Sequence, residues 1–196
     1  MNHVVLTKTY SAPPVCKKEV LRYAGCGEPD SELLALLDSC IEEMSSKLTY
    51  KVCFCRLPVS VSQDICDMDL LRLKSRGLAK NLQNCKNVIL FAATVGVEPD
   101  RLVLKYGRVS PAKALLMQAL GAERIEALCD AFCEDMAREL NTRLRPRFSP
   151  GYGDLSIDTQ QDIFALLDPP KRIGLYLGGS MLMSPTKSVT AIVGGE

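Results

Sequence analysis

The residues of this chain best suited to chemistry lie close together in its last third. Arg147, Phe148, Ser149, Pro150, Gly151 and Tyr152 combine a permanent cation, a proline that restricts the backbone, a glycine and an aromatic ring. A guanidinium offers a carboxylate two parallel charge-assisted hydrogen bonds, which set both its position and its orientation. Pro146 and Pro150 stiffen the stretch that carries Arg147. Gly151 lacks a Cβ, so backbone groups beside it are open to a ligand. Tyr152 adds a flat apolar surface suited to a nucleobase or to a cation over its ring. The same residue types also build ordinary surface turns, so two readings stand side by side: an anion clasp next to an aromatic face, or a stiff turn. Glu126 and Asp130, one helical turn apart, form a second pair of interest. A carboxylate there either meets a ligand's ammonium group or is a solvated acid on a helix edge.

Other chemistries find less support. No P-loop occurs, and no G-x-G-x-x-G follows a strand. The nine cysteines (16, 26, 40, 53, 55, 66, 85, 129 and 133) form an odd, irregular set unlike a secreted disulfide framework. His3 is the single histidine and no Cys-x-x-Cys pair exists, the nearest approaches being Cys53 with Cys55 and Cys129 with Cys133. We expect no metal site, and most thiols buried as small hydrophobes. Lys plus Arg number 24 against 23 Asp plus Glu, which gives no general attraction to nucleic acid or an anionic membrane. The start lacks a signal-peptide pattern, and no run approaches the roughly 20 apolar residues of a membrane span. The expected setting is the cytoplasm, with neither nucleic acid nor membrane as partner.

The elements that must position these residues follow from periodicity. At 196 residues and 47% hydrophobic, the chain has material for one sizeable core, and we expect a single domain over 1–196. Val4 to Tyr10 reads as a strand, Cys16 to Tyr23 as a short helix, and Asp30 or Ser31 as the cap of a helix to Leu48. In that helix Leu33, Leu37, Cys40, Ile41, Met44 and Leu48 share one stripe, a core face. One or two strands are expected between Tyr50 and Val61, around Pro58. A helix is expected from Asp67 to Asn84, with Leu70, Leu71, Leu73, Leu78 and Leu82 inward and a solvated basic face of Arg72, Lys74, Arg76 and Lys80. Asn87 to Thr94 is a continuous apolar run, as in a central strand covered on both faces. Helices are predicted over Glu98 to Tyr106 and from Pro111 to about Leu144, with an interruption at Gly121. A further helix runs from Thr159 to Leu167, capped by Asp158, followed by strands over Ile173 to Leu177 and Lys187 to Val193.

Arg147, Gly151 and Tyr152 match the R-x-x-x-G-Y signature for S-adenosylmethionine of the activation domain of cobalamin-dependent methionine synthase, which the segment from Arg147 to Gly194 resembles. Downstream, Asp162-Ile163-Phe164, Leu166-Leu167, Lys171-Arg172-Ile173-Gly174-Leu175, Ser180, Met183, Pro185 and Ser188-Val189 fall in the family's order. Phe91 to Glu98 and the helix through Asp130-Ala131-Phe132 are similar to it as well, so the resemblance is strongest over 87–194 and loose over the first 86 residues. It implies an α+β fold, a mainly antiparallel twisted sheet with helices packed against it. It also implies a free-standing relative that binds S-adenosylmethionine and supports reductive methylation of cob(II)alamin on a separate methionine synthase or related corrinoid protein, with a flavodoxin-like electron donor. The chain would then act in trans as a component of a methyltransferase, with cobalamin carried by the partner and no catalytic residue of its own. Arg147 would take the ligand's carboxylate, the backbone at Pro150 and Gly151 would contact its polar groups, Tyr152 would pack against it, and Asp130 or Glu126 would supply an acidic contact. The methyl-bearing sulfonium would face the corrin, in line with cobalt. Two departures from the family stand out: Gly178-Gly179-Ser180 replaces its Thr-Glu-Ser, and its chain continues past the counterpart of Val193. They leave a second reading, a partner-binding or chaperone module for a corrinoid methyltransferase.

Overall fold

Asn87–Thr94 is the strand around which the other layers gather. Every residue from Val88 to Thr94 is buried, because the strand has a neighbour on each edge and a layer on each face. The computed structural model describes residues 4–196, so His3 lies outside the described residues. In chain order the elements are β1 (Leu6–Tyr10), α1 (Lys17–Tyr23), α2 (Ser31–Ser45), β2 (Tyr50–Pro58), β3 (Ser60–Ser62), β4 (Ile65–Asp67), β5 (Arg72–Lys74) and α3 (Arg76–Asn81). They continue with β6 (Asn87–Thr94), α4 (Glu98–Tyr106), α5 (Pro111–Glu139), α6 (Thr159–Leu167), α7 (Pro169–Ile173), β7 (Tyr176–Leu177), β8 (Met183–Ser184) and β9 (Ser188–Gly195). The main sheet has the order β1-β2-β6-β9, antiparallel at every pairing. The expected α+β class, an antiparallel sheet with helices against it, is the observed one.

Side-chain alternation divides this sheet between two cores. Val52, Phe54, Ile89, Phe91, Ala93, Ala191 and Val193 face the second half of α5, where Ile125, Leu128, Cys129, Phe132 and Met136 meet them. Phe132 lies with its ring centroid 5.2 Å from Phe54 and 4.8 Å from Phe91. The intervening residues, Cys53, Cys55, Val88, Leu90, Ala92 and Ile192, face α3, α6, α7 and the small β3-β4-β5 sheet. Burial pushes the Cys53 thiol up to about 12 and those of Cys55 and Cys66 to about 11, so these three are inert packing groups. A third core joins the first half of α5, through Leu116, Met117 and Leu120, to α1, α2 and α4.

Several expectations need correction. The predicted helix over 67–84 is helical only over Arg76–Asn81: its first half holds the last residue of β4, a turn and β5. Leu71 and Leu73 are buried by strand alternation with exposed Arg72 and Lys74, and Leu70 is exposed. The leucine spacing fits either period, and packing beneath the main sheet favoured the strand. The long helix ends at Glu139 and passes Gly121 without a break. Gly121 meets a spatial demand: a Cβ there would lie 3.1 Å from Pro99 and 3.0 Å from Lys187. Asp158 does not cap α6 with its side chain; its carboxylate accepts from the Ser156 hydroxyl instead. Ile173 closes the one-turn α7, leaving only Tyr176–Leu177 as strand.

Candidate functional site

Beyond α5 the chain turns through Asn141, which adopts a positive φ of 46°, and runs back along the free edge of β9. Leu144 pairs with Gly195 and Phe148 with Ile192. The first two are four residues apart and the second two only three, so one extra residue bulges out between the bridges. Leu144 therefore packs on the α5 side of the sheet, whereas Phe148 enters the core on the opposite side. Arg147, the residue before Phe148, points back to α5.

There it meets both acids singled out on that helix. Arg147 Nη2 donates to Glu126 Oε2 at 2.6 Å, and Nη1 donates to Asp130 Oδ1 at 2.5 Å. The spacing of 126 and 130 places both on one face of α5, and each takes one prong of the guanidinium. Burial by itself would lower the Arg147 pKa, yet the neighbouring anions, the Asp130 carboxylate prominent among them, hold it above its ordinary value. Beneath it burial pushes up the thiols of Cys129 and Cys133, which are packing groups rather than nucleophiles.

The Arg147 to Asp130 pair stands between two hollows. One, of about 430 Å³, is acidic: Glu19, Glu123, Glu126, Asp130 and Glu134 line it with Pro13, Pro14, Cys16 and Tyr23. The other, of about 610 Å³, is basic: Arg143, Arg145 and Arg147 line it with Asp130 and Cys133. The alternation Arg143-Leu144-Arg145-Pro146-Arg147 was the available signal for the basic hollow, and sequence reasoning passed over Arg143 and Arg145. It also passed over Glu134, one turn after Asp130 on α5, and Tyr23, which only the packing of α1 beside α5 brings to the acidic one.

The rest of the clasp follows Phe148. Pro150 is buried. Gly151 has φ of +84° and donates its amide to the Leu155 carbonyl, and a Cβ there would touch Ile157 at 3.0 Å, so two constraints favour glycine. Tyr152 is 68% exposed and leans edge-on against Phe148, ring centroids 5.3 Å apart. Asp154 anchors the loop by accepting from the Ser75 hydroxyl and the amides of Arg76 and Gly77 at the start of α3. The structure thus gathers Arg147, Glu126 and Asp130 into one node, but it does not bring the rest of the clasp there: Pro150, Gly151 and Tyr152 line neither hollow and follow Phe148 towards α3, on the other side of the sheet from α5. Among the described residues no group of three or more His, Cys, Asp and Glu side chains is arranged to hold a metal. No described helix is long and apolar enough to cross a membrane.

The fold is activation-domain-like. Among solved structures the chain is similar to the MetH reactivation domain, determined with AdoHcy bound, with a TM-score of 0.71 and 16% identity over 97% of this chain and 78% of that one. No family model matches the sequence, and no curated protein matches it.

Proposed function

We propose that the chain binds S-adenosylmethionine and supports reductive methylation of the corrinoid on a separate cobalamin-dependent methionine synthase or related corrinoid protein, with a flavodoxin-like protein supplying the electron. The observation that carries this reading is the Arg147 node between a basic and an acidic hollow, on a fold shared with a reactivation domain bound to AdoHcy. An S-adenosyl amino acid bears an α-carboxylate and an α-ammonium on adjacent atoms. Such a pair is the ligand that an Arg–Glu–Asp node admits without leaving a charge unpaired: the guanidinium of Arg147 turns to the carboxylate, and Glu126 and Asp130 take the ammonium. In this reading the ligand extends from the node round the edge of β9, so that the backbone of the Pro150 to Gly151 turn meets its polar groups and the exposed ring of Tyr152 offers a face for its adenine or sulfonium. When bound, S-adenosylmethionine supplies an activated methyl group. The protein's part is to hold the amino-acid end and leave the sulfonium accessible to the partner.

Isothermal titration with S-adenosylmethionine and S-adenosylhomocysteine tests the binding step; absence of heat and of any thermal shift at millimolar ligand refutes it. A second reading draws on the same node. Arg147 already has two carboxylate partners, as suits a module that holds a corrinoid protein without a ligand of its own. Reconstitution separates the two: if Arg147→Ala abolishes reactivation but leaves co-purification with the partner intact, the ligand-binding reading stands; if reactivation survives, the second does.

A further inference from the structure

On the sheet face away from α5, a groove of about 650 Å³ opens between α3 and the β3-β4 hairpin. Val61 forms its apolar wall, Arg76 and Lys80 reach into it from α3, and the amides of Gln63, Gln83 and Asn84 line its rim. No acid lines it. Residues 70–97 contain Arg72, Lys74, Arg76, Lys80 and Lys86 and not one Asp or Glu. Of the ion pairs among the described residues, none involves Arg76 or Lys80.

Arg76 and Lys80 are four residues apart on one short helix, a spacing at which like charges repel. An anion between them removes that repulsion. The amides of Arg76 and Gly77 at the helix start are already taken by Asp154, so any attraction for an anion here comes from the side chains. The end of α3 that carries the groove is tied down from outside it: Asn81 Nδ2 donates to the Pro146 carbonyl at 3.1 Å and Arg145 Nη2 to the Gln83 carbonyl at 3.2 Å.

We propose that this groove binds a phosphorylated small molecule, its phosphate held between Arg76 and Lys80 and its body against Val61. A guanidinium fork, an ammonium and three side-chain amides exceed what one carboxylate needs and match the several oxygens of a phosphate or pyrophosphate. The concavity, with an apolar wall and convergent polar groups, suits a ligand of mononucleotide size rather than a flat protein face. The site is independent of the Arg147 node and stands whether or not that node binds S-adenosylmethionine.

The test is titration of the full chain with pyrophosphate at low ionic strength, followed by amide chemical shifts, with a polyglutamate peptide as a parallel arm. Saturable shifts confined to residues around 61–63 and 76–85 are expected. The double variant Arg76→Gln, Lys80→Gln should weaken pyrophosphate about tenfold or more, while Arg147→Ala leaves it unchanged. Both variants alter exposed or half-exposed side chains, and an unchanged thermal midpoint confirms that the fold persists. Absence of saturable shifts, equal affinity in the double variant, or binding of the peptide but not of pyrophosphate overturns the proposal.

Discussion

Arg147 owes its position to its neighbour: Phe148 is drawn into the core under β9, and the alternation of an edge strand turns Arg147 the other way, onto α5. The residue is a fork with both prongs engaged, so charge alone does not reproduce it. Arg147→Ala is expected to weaken S-adenosylmethionine by about 100-fold or more, since it removes a bidentate carboxylate contact. Arg147→Lys should recover only part of that affinity. Because Asp130 is largely exposed and Glu126 partly so, unfolding midpoints should show a stability change within about 1 kcal/mol for either variant. Titration calorimetry beside denaturant melts checks both halves of the statement.

Between elements, a single carboxylate ties three helices together. Glu43 on α2 meets Lys105 of α4 at 2.8 Å and Lys113 of α5 at 2.9 Å, and the Tyr106 hydroxyl donates to it as well. The hydrogen bonds from Lys105 and Lys113 pull its pKa from the usual 4.5 down to about 2. A depressed carboxylate binds its proton less readily in the folded state, so its contribution is fully present above pH 4.5 and is lost as pH falls towards 2. The slope of stability against pH in that window should flatten in Glu43→Gln, as measured by urea melts at stepped pH. Strand β9 offers a steric counterpart: a Cβ on Gly194 would lie 2.6 Å from Cys85 Sγ and 2.8 Å from Leu82 Cδ2. Gly194→Ala should therefore cost about 1–3 kcal/mol by overpacking, read as a lowered unfolding midpoint.

Across the whole molecule, α5 is the shared member of two of the three cores, and at its middle it holds the chain's N-terminal segment. Arg124 is 2% exposed and pairs with Glu123, and its two terminal nitrogens donate to the carbonyls of Pro13 and Pro14 at 2.5 and 2.7 Å. Glu123 in turn accepts from the amide of Cys16 at 3.0 Å. This pair fastens the segment that walls the acidic hollow. Removing one member of a buried pair strands the other, so Arg124→Ala should cost about 3–5 kcal/mol. Calorimetric unfolding of Arg124→Ala beside the double variant Glu123→Gln, Arg124→Met, which restores volume without a lone charge, should show the single change as the more damaging.

Much of this was legible in the chain, and for one reason: helix and strand periods are local. The limits of β6, α4 and α6 follow from apolar runs and the glycines and prolines that flank them within a dozen residues, and the stripe of α2 buries Leu37, Cys40 and Met44 as its spacing requires. The leucines between 70 and 82 satisfy two periods at once, and packing divides them: Leu73 falls in β5 and Leu78 in α3. The types that make the candidate site, a forked cation, a glycine and an aromatic within six residues with a pair of acids upstream, were plain in the sequence alone. Their union was not. Arg147 reaches Asp130 and Glu126 from 17 and 21 residues away only because a one-residue bulge on the edge of β9 sets its side chain toward α5. That register comes from backbone pairing between distant segments, which only the tertiary structure determines.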